Sequence, residues 1–186
     1  MLNESKSDYD LLKEIQRGNH SAFKRLVSLH TSRSYNMAYR YLNNQQDAED
    51  IVQQAFLKLW RNPYSWTPGK AQFTTWFSRV IINLCLDFLK TRKPNALSLN
   101  FNFVDKKILP IEKMIQEEKE ILVQETIQKL PTRQKTALIL CYFEKFSNKE
   151  AAIILETTEK GVQSLLLRAK DFLKKQLLFQ NDNRKR

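Results

Sequence analysis

The residues of this sequence that could perform covalent chemistry are few and widely spaced. Cys85 and Cys141 lie far apart in apolar helical contexts, and His20 and His30 share no motif with them. A zinc site or a Cys–His nucleophile requires such side chains at short, defined spacings, and neither pattern occurs. The three glycines are scattered, so there is no glycine-rich phosphate loop. We therefore predict no catalytic residue, no metal and no cofactor, and we expect a binding function.

The charge balance indicates what is bound. The 186 residues include 31 lysines and arginines against 20 aspartates and glutamates, a formal net charge of +11. This excess favours a polyanionic partner, with nucleic acid first, although a solvated basic surface also explains it. The N-terminal stretch MLNESKSDYD does not resemble a signal peptide, and no apolar run reaches membrane-spanning length. Because the cysteines suit reduced core positions, we expect a cytoplasmic protein without membrane insertion.

Helices must position the binding residues, because helical periodicity dominates and no alternating strand pattern persists. In the first half the pattern predicts helices near residues 9–17, 21–41, 47–61 and 73–90. In the second half it predicts helices near residues 111–130, 132–145, 147–156 and 158–177. The stretch between them shows no period and contains Pro94 and Pro110. We predict an all-α protein with two small helical domains, 1–93 and 111–182, joined by a flexible linker, 94–110.

The helix predicted over 47–61, in the stretch DAEDIVQQAFLKLW, carries side chains whose positions core packing does not explain. Its apolar residues form one stripe at helical spacing, and acidic residues in its first turn suit the helix dipole. Leu57 projects away from that stripe, beside Asp50, Gln53 and Gln54. A single exposed leucine is common, so packing alone explains this helix. A leucine among short polar side chains also fits a docking surface, and both interpretations stay open.

The helix predicted over 73–90 combines aromatic residues with a basic end. Phe77 lies on its core face, whereas Trp76 lies at the edge and suits either packing or stacking on an unpaired base. Asn83 and Asp87 are four residues apart and share a face. The cations suited to a phosphate backbone are Arg79, Lys90 and Arg92. The preceding loop, with Trp66 and Lys70, would either hold a flipped base or cover the core edge.

The last two predicted helices have the pattern of a helix-turn-helix. Ser147 and Glu150 form a capping box, the small Ala151 permits close helix crossing, and Thr158 can cap the second helix. The residues free to meet a major groove include Gln163, which suits an adenine edge, with Ser164 and Leu167. The residues that suit phosphates are Lys149, Lys160, Arg168 and Lys170. A plain helical hairpin with a solvated basic face explains the same pattern.

Together, four stretches of the chain resemble bacterial RNA polymerase sigma factors of the small extracytoplasmic-function (ECF) group. They are LLKEIQRGNHSAFKRLV, DAEDIVQQAFLKLW, FTTWFSRVIINLCLDFLK and LPTRQKTALILCYFEKFSNKEAAIILETTEKGVQSLLLRAK. In the family these correspond, in this order, to the opening helices, the core-polymerase-binding helix, the promoter-melting and −10-reading helix, and the −35-reading domain. The resemblance implies a specificity subunit without a catalytic site, which binds core RNA polymerase and directs promoter-specific initiation.

The resemblance also implies a role for each group of residues. The positions matching the core-polymerase contact face are Asp47, Asp50, Gln53, Gln54 and Leu57. The positions matching −10 DNA contacts are Trp66, Lys70, Trp76, Arg79, Asn83, Asp87, Lys90 and Arg92. The positions matching −35 DNA contacts are Lys149, Lys160, Gln163, Ser164, Leu167, Arg168 and Lys170. The implied partners are core RNA polymerase, promoter DNA and an anti-sigma factor, which in this family is often membrane-anchored.

Several residues depart from the family pattern. Gln54 stands where an acid is usual, and Glu156 stands in the helix-turn-helix where glycine is usual. Glu156 must adopt a positive φ at a cost of about 1 kcal/mol, or the turn must differ. Gly161 falls in the first turn of the recognition helix, and Leu165 and Leu167 replace polar or basic residues. The −35 sequence therefore cannot be copied from relatives.

Two other functions fit parts of the chain. A helix-turn-helix regulator that binds duplex DNA without polymerase explains the C-terminal half but not the block from Asp47 to Arg92. An all-α protein-interaction module requires no DNA and predicts weak, sequence-blind and salt-insensitive behaviour on DNA.

Overall fold

The computed structural model describes residues 7–91 and 122–184, with side chains described as far as residue 177. Every regular element in these ranges is helical, which confirms the predicted all-α class. The N-terminal half contains α1 (Asp8–Gln16), α2 (His20–Leu42), α3 (Gln45–Arg61) and α4 (Phe73–Thr91). The C-terminal half contains α5 (122–128), α6 (Thr132–Leu138), a π-helical turn (Ile139–Phe143), α7 (Asn148–Leu155) and α8 (Glu159–Arg184). Arg92 and the linker predicted over 94–110 lie outside the described residues.

Asparagine side chains fix where α2 and α3 begin. Asn19 Oδ1 accepts hydrogen bonds from the backbone N–H groups of Ser21 and Ala22, at 3.0 and 3.2 Å. Asn44 Oδ1 accepts from the N–H of Asp47 at 2.9 Å. These caps satisfy donors that have no partner inside the helix. At its other end α2 stops at Asn43, whose φ of 53° is the left-handed conformation that ends many helices.

The core of the N-terminal half forms where α2, α3 and α4 pack against one another. Leu26 of α2 and Leu59 of α3 have no exposed surface, and Phe77 of α4 is 3% exposed, as its core position predicted. Burial of a side chain of this size stabilises a fold by about 1.5–3 kcal/mol. The buried faces of α3 and α4 therefore determine which of their side chains point to solvent.

The C-terminal half has a smaller core of its own. Its α5, α6 and α8 enclose a buried cluster formed by Ile127, Leu130, Leu138 and Ala169. After α6 the chain makes a π-helical turn, whereas the sequence predicted one continuous helix over 132–145. The residue after this turn, Glu144, contacts α2 of the other half. The π-helical turn is thus next to one of the contacts between the two halves.

The two halves pack against each other along α2 and α4. Side chains from both halves share one apolar cluster. The hydroxyls of Tyr41 and Thr136 are hydrogen-bonded across the boundary, and burial raises the pKa of Tyr41 to about 12. The Arg40 carbonyl, near the C-terminus of α2, accepts from Nε2 of Gln124 and Nε2 of Gln128 at 3.2 and 2.8 Å. The sequence predicted two helical domains, and the structure adds that they are in contact.

We predict that the Glu150 carboxylate stabilises the start of α7 at neutral pH more than in acid. It accepts from the Ser147 backbone N–H at 2.8 Å and from Ser147 Oγ at 2.7 Å. These bonds lower the pKa of Glu150 below its ordinary 4.5. Because the folded-state pKa lies below the unfolded one, the stabilisation is complete above about pH 4.5 and is lost as the pH falls through the folded pKa.

Amide hydrogen exchange across α7 in the wild type and in Glu150→Gln measures this contribution. At pH 7 the variant should exchange about two- to fivefold faster, because its neutral amide can still accept these bonds but lacks the negative charge at the N-terminus of α7, which contributes about 0.3–1 kcal/mol. The ratio should fall toward one as the pH is lowered below the ordinary pKa of the carboxyl group. A ratio that does not change with pH would contradict this role of the carboxylate.

Candidate functional site

The side of α3 that faces away from the core forms the first candidate surface. Asp50, Gln53 and Gln54 are exposed, and Leu57 is 49% exposed among them. These positions are spaced three or four residues apart, so their side chains lie on neighbouring rows of one helical face. Asp47 is half-buried at the start of the same helix. The structure therefore brings together the residues predicted to contact core polymerase, as a polar strip around an exposed leucine.

One side of α4 carries the second group. Trp76, Arg79, Asn83, Asp87 and Lys90 follow one another at intervals of three or four residues, so they share a face. Asn83, Asp87 and Lys90 are exposed, whereas Trp76 and Arg79 are half-buried. Lys90 Nζ forms an ion pair with Asp87 Oδ1 at 3.2 Å. The face thus offers an amide, an indole edge and cations along about four helical turns.

Trp66 anchors the loop before α4 and does not present its indole to solvent. It is 7% exposed, and its Nε1–H donates to the Ala71 carbonyl at 3.1 Å. Its ring packs edge-on against Tyr9 and Phe73, with ring centres 6.3 and 6.1 Å apart. A direct contact between Trp66 and a base would require the loop to move. Trp66 in this structure positions the loop, while Lys70 is exposed on it.

The turn between α7 and α8 has the tight geometry of a helix-turn-helix. Glu156 adopts φ 50° and ψ 55°, so of the two alternatives, a positive φ or a different turn, the structure has the positive φ. Thr158 Oγ1 accepts from the N–H of Gly161 at 3.1 Å and thereby caps α8. A Cβ atom at position 161 would lie 2.5 Å from Thr157 Oγ1. Glycine at position 161 therefore avoids a steric clash with the Thr157 side chain.

Helix α8 has one buried side and one exposed side. Val162 and Ala169 have no exposed surface, and Leu166 is half-buried against the core. The residues predicted to contact −35 DNA are all exposed: Lys149, Lys160, Gln163, Ser164, Leu167, Arg168 and Lys170. Lys170 Nζ also lies 5.1 Å from the ring centre of Tyr142, so this cation has a partner within the protein.

The cysteines do not form a reactive site. Cys85 is fully buried, and burial raises the pKa of its thiol to about 12. Burial also raises the pKa of the half-buried Cys141. Both thiols are therefore protonated near neutral pH. Among the residues that the structure describes, no group of three or more His, Cys, Asp or Glu side chains could hold a metal ion, and no helix is both long and apolar enough to cross a membrane.

Sequence reasoning missed the contacts that join the two halves. Arg79 forms an ion pair with Glu156, and Arg33 and Arg40 both contact Glu144. The paired residues Arg79 and Glu156 are 77 positions apart, and Arg33 and Glu144 are 111 apart, so no local pattern links them. The one feature of the sequence that could have indicated such a contact is Glu156, an acid at a position where glycine was expected.

Two family profiles match this chain. The profile for sigma-70 region 2 matches residues 26–94, which include α3 and α4. The profile for sigma-70 region 4 matches residues 120–173, which include α7 and the first part of α8. The candidate surfaces on α3, on α4 and on the helix-turn-helix therefore lie within the matched residues.

Curated relatives are similar over most of their length. The chain is 31% identical over 181 residues to the RNA polymerase sigma-H factor of Pseudomonas aeruginosa, covering 91% of this chain and 93% of the relative. It is 29% identical over 177 residues to the ECF RNA polymerase sigma factor SigW of Bacillus subtilis, covering 89% and 94%. It is 28% identical over 181 residues to the ECF RNA polymerase sigma-E factor of Escherichia coli, covering 91% and 94%.

Solved structures share the fold. CnrH, solved in complex with the cytosolic domain of CnrY, matches with a TM-score of 0.70 at 23% identity, over 92% of this chain and 97% of that one. The sigma factor RpoE of Bartonella quintana, solved with the anti-sigma factor NepR, matches with a TM-score of 0.63 at 20% identity, over 83% and 96%. With both family profiles and the curated relatives in agreement, the chain belongs to the ECF group of RNA polymerase sigma factors, which direct promoter-specific transcription initiation.

Proposed function

We propose that this chain binds core RNA polymerase through α3, reads the −10 element through α4 and reads the −35 element through α7 and α8. The observation that carries this proposal is that α3, α4, α7 and α8 bury their apolar sides and leave most of the predicted contact residues exposed within the matched regions. The proposed units are a region 2 domain (1–93), a linker (94–110) and a region 4 domain (111–182). The polymerase would supply the catalytic metal ions, and this subunit would contribute no catalytic group and would act in the cytoplasm.

The strip on α3 has the composition of a protein-binding surface. Leu57 supplies an apolar centre, and Asp50, Gln53 and Gln54 supply hydrogen-bonding groups around it. Interfaces gain most of their affinity from a few side chains that become fully desolvated, surrounded by polar contacts that exclude water. Leu57 is the residue of this strip that gains most from desolvation. We therefore propose Leu57 as the anchor on core polymerase and the polar residues, with Asp47, as its rim.

The face of α4 suits unpaired bases. The Asn83 amide has both donors and acceptors and would read a base edge, while the exposed edge of Trp76 would stack. Arg79, Lys90 and Arg92 would neutralise phosphates, and Lys70 would do so from the loop that Trp66 holds. Unpairing a base costs a few kcal/mol, and stacking contributes about 1–3 kcal/mol per base. Contacts with the separated strand would thus offset the cost of melting.

The helix-turn-helix would read duplex DNA. Gln163 suits adenine, whose edge offers both an acceptor and a donor, and the exposed Leu167 suits a thymine methyl group. The exposed cations of α7 and α8 would bind phosphates, which fix the position of the helix without specifying sequence. Two reading units on one chain raise each other's effective concentration on the promoter. Weak individual contacts are then sufficient for a specific complex.

We propose an anti-sigma factor as a further partner. Two proteins that share this fold were solved with CnrY and with the anti-sigma factor NepR, respectively. A protein partner of this class would compete for the surfaces assigned above to polymerase and DNA.

Reconstitution with sigma-free bacterial core polymerase tests the proposed function. Transcription on a pool of genomic fragments should start at a defined subset of sites, and only when this protein is added. The start sites would also reveal both promoter elements. Absence of binding to core polymerase, combined with tight binding to duplex DNA by the free protein, would instead favour a helix-turn-helix regulator.

We predict that Leu57→Asp weakens core binding at least tenfold without unfolding the chain. A buried, unpaired carboxylate at the centre of the interface should raise the Kd for core polymerase at least tenfold, or about 1.4 kcal/mol. The matched control is Leu29→Asp on α2, where the leucine is 56% exposed and lies outside the strip. Fluorescence anisotropy gives the affinity, and circular dichroism verifies the fold. Equal affinity of both variants for core polymerase would contradict the proposed anchor.

We predict that Asn83→Ala lowers promoter melting while core binding stays intact. Loss of a bidentate base contact costs about 1–3 kcal/mol, so open-complex formation should fall about tenfold. Asn36→Ala, an exposed asparagine on α2, is the matched control. Permanganate reactivity of −10 thymines measures melting, and anisotropy measures core affinity. If core affinity falls as much as melting, the assignment of Asn83 to DNA is wrong.

A further inference from the structure

An exposed tyrosine of the π-helical turn lies beside the helix-turn-helix. Tyr142 is 42% exposed, and its ring is in contact with α8, because Lys170 Nζ lies 5.1 Å from the ring centre. Tyr142 is not among the residues predicted to contact DNA, yet Lys170 is one of them. The structure therefore connects a residue without an assigned role to the proposed −35-reading surface.

The backbone of the π-helical turn determines where this ring points. The backbone N–H of Glu144 donates to the carbonyl of Ile139, five residues earlier, at 3.0 Å. The turn therefore contains one residue more than an α-helical turn, and its side chains are rotated relative to those of a regular helix. Turns of this kind occur frequently at functional sites. In this chain the turn brings the Tyr142 ring to Lys170 of α8.

Tyr142 and α8 line an open groove with a volume of about 500 Å³. Apolar side chains make up much of its lining, including Phe146, Leu166 and the exposed Leu167. Among the described residues that line the groove, Lys170 carries the one charge and none is a carboxylate. A groove with a single positive charge favours an anionic ligand over a cationic one.

The polar groups of the groove suit a phosphate. The ammonium group of Lys170 only donates hydrogen bonds, and the hydroxyl of Tyr142 can donate one. Asn148, the first residue of α7, has its Oδ1 in contact with Cys141 Sγ at 3.7 Å, so the amide would offer its NH2 group to a ligand. Gln163, the proposed base reader, lines the same groove. A phosphate bound here would therefore belong to the DNA whose bases Gln163 contacts.

We propose that Tyr142 is a further DNA-binding residue of this chain. Its hydroxyl donates to a backbone phosphate beside the −35 element, and its ring positions Lys170 on the same stretch of backbone. The inference rests on the proposed assignment of α7 and α8 to DNA. A lysine loses rotamer freedom when it binds, and a ring that already restricts Lys170 reduces that loss. Tyr142 adds affinity without sequence preference, because phosphate contacts position a protein but do not specify bases.

Promoter binding by the full-length chain in complex with core RNA polymerase tests the hydroxyl contact. The DNA is a promoter fragment found by the reconstitution described above. Tyr142→Phe keeps the ring and removes one hydrogen bond to a charged group, so the Kd should rise about tenfold. The Kd should rise by the same factor on a fragment with a scrambled −35 element, because phosphates are common to all sequences. The matched control, Tyr39→Phe on α2, changes a ring that is 40% exposed and should leave the Kd unchanged.

A salt titration of the same complexes separates the role of the ring from that of the hydroxyl. Lys170→Ala should reduce the slope of log Kd against log salt concentration by about 0.9, because one phosphate contact by a cation is lost. Tyr142→Phe should leave the slope unchanged, since the hydroxyl is neutral. Tyr142→Ala should reduce the slope, because Lys170 loses the ring that positions it. Lys24→Ala removes an exposed cation of α2 and serves as the control.

Ethylation interference identifies the phosphate that Tyr142 contacts. Ethylation of one phosphate beside the −35 element should weaken binding of the wild type and have little further effect on Tyr142→Phe. A purely structural role of Tyr142 would not remove interference at a single phosphate. Circular dichroism verifies the fold of each variant. Where Tyr142→Ala fails to fold, the comparison of Tyr142→Phe with the wild type still decides the hydroxyl contact.

Two outcomes would overturn this inference and leave the proposed function intact. The first is a Tyr142→Phe variant with the Kd and the interference pattern of the wild type, as expected if Tyr142 only packs or if the groove binds a protein. The second is a loss of affinity that disappears when the −35 element is scrambled, which would show a base contact. A wild-type complex that binds no genomic fragment would contradict the proposed function itself, and the inference would fail with it.

Discussion

The Glu144 carboxylate imposes a constraint on which the arrangement of both halves depends. A buried carboxylate destabilises a fold strongly unless cations and donors surround it. Arg33 and Arg40 are seven residues apart, two turns along one face of α2, so a single helix supplies both cations. As a result α2 is a core helix of the N-terminal half and also the surface on which the C-terminal half rests. The contact of α7 with α4, and the pairing of Arg79 with Glu156, follow from that placement.

The candidate binding surfaces are what remains after each helix has buried its apolar side. In α3 the side chains of Ile51 and Leu59 are buried in the core, whereas Leu57 is exposed to solvent. In α8 the side chains of Val162 and Ala169 are buried in the core, whereas Gln163 and Ser164 are exposed to solvent. Helical periodicity therefore links stability to recognition, because a change in which residues are buried would also rotate the recognition residues away from their partners. Rigid helices present such groups more accurately than loops would.

Interactions between residues close together in the sequence made most of the helices predictable. The features that were not predicted depend on contacts between residues far apart in the sequence. The capping box at Ser147 and the cap formed by Thr158 are decided within a few residues, so the sequence alone indicated them. The π-helical turn over Ile139–Phe143 has no proline or glycine to mark it, and tertiary packing decides it. For Trp66 the sequence left open whether the loop holds a flipped base or covers the core edge, and the structure buries its indole between Tyr9 and Phe73, an arrangement that only the folded loop produces. Contacts between the halves, such as Arg33 with Glu144, join residues 111 positions apart, so no local sequence pattern predicts them.

The boundary between the halves buries polar and charged groups as well as apolar side chains. An interface of apolar side chains alone would be difficult to separate, whereas this one also buries polar groups that water would solvate well. Lys135 is 7% exposed, and burial lowers the pKa of its ammonium group because the charge is poorly solvated there. Its hydrogen bonds to Gln128 Oε1 at 3.0 Å and to the Tyr41 carbonyl offset only part of that loss. The boundary therefore combines apolar packing with hydrogen bonds and charged pairs, and their geometry specifies how the two halves sit together.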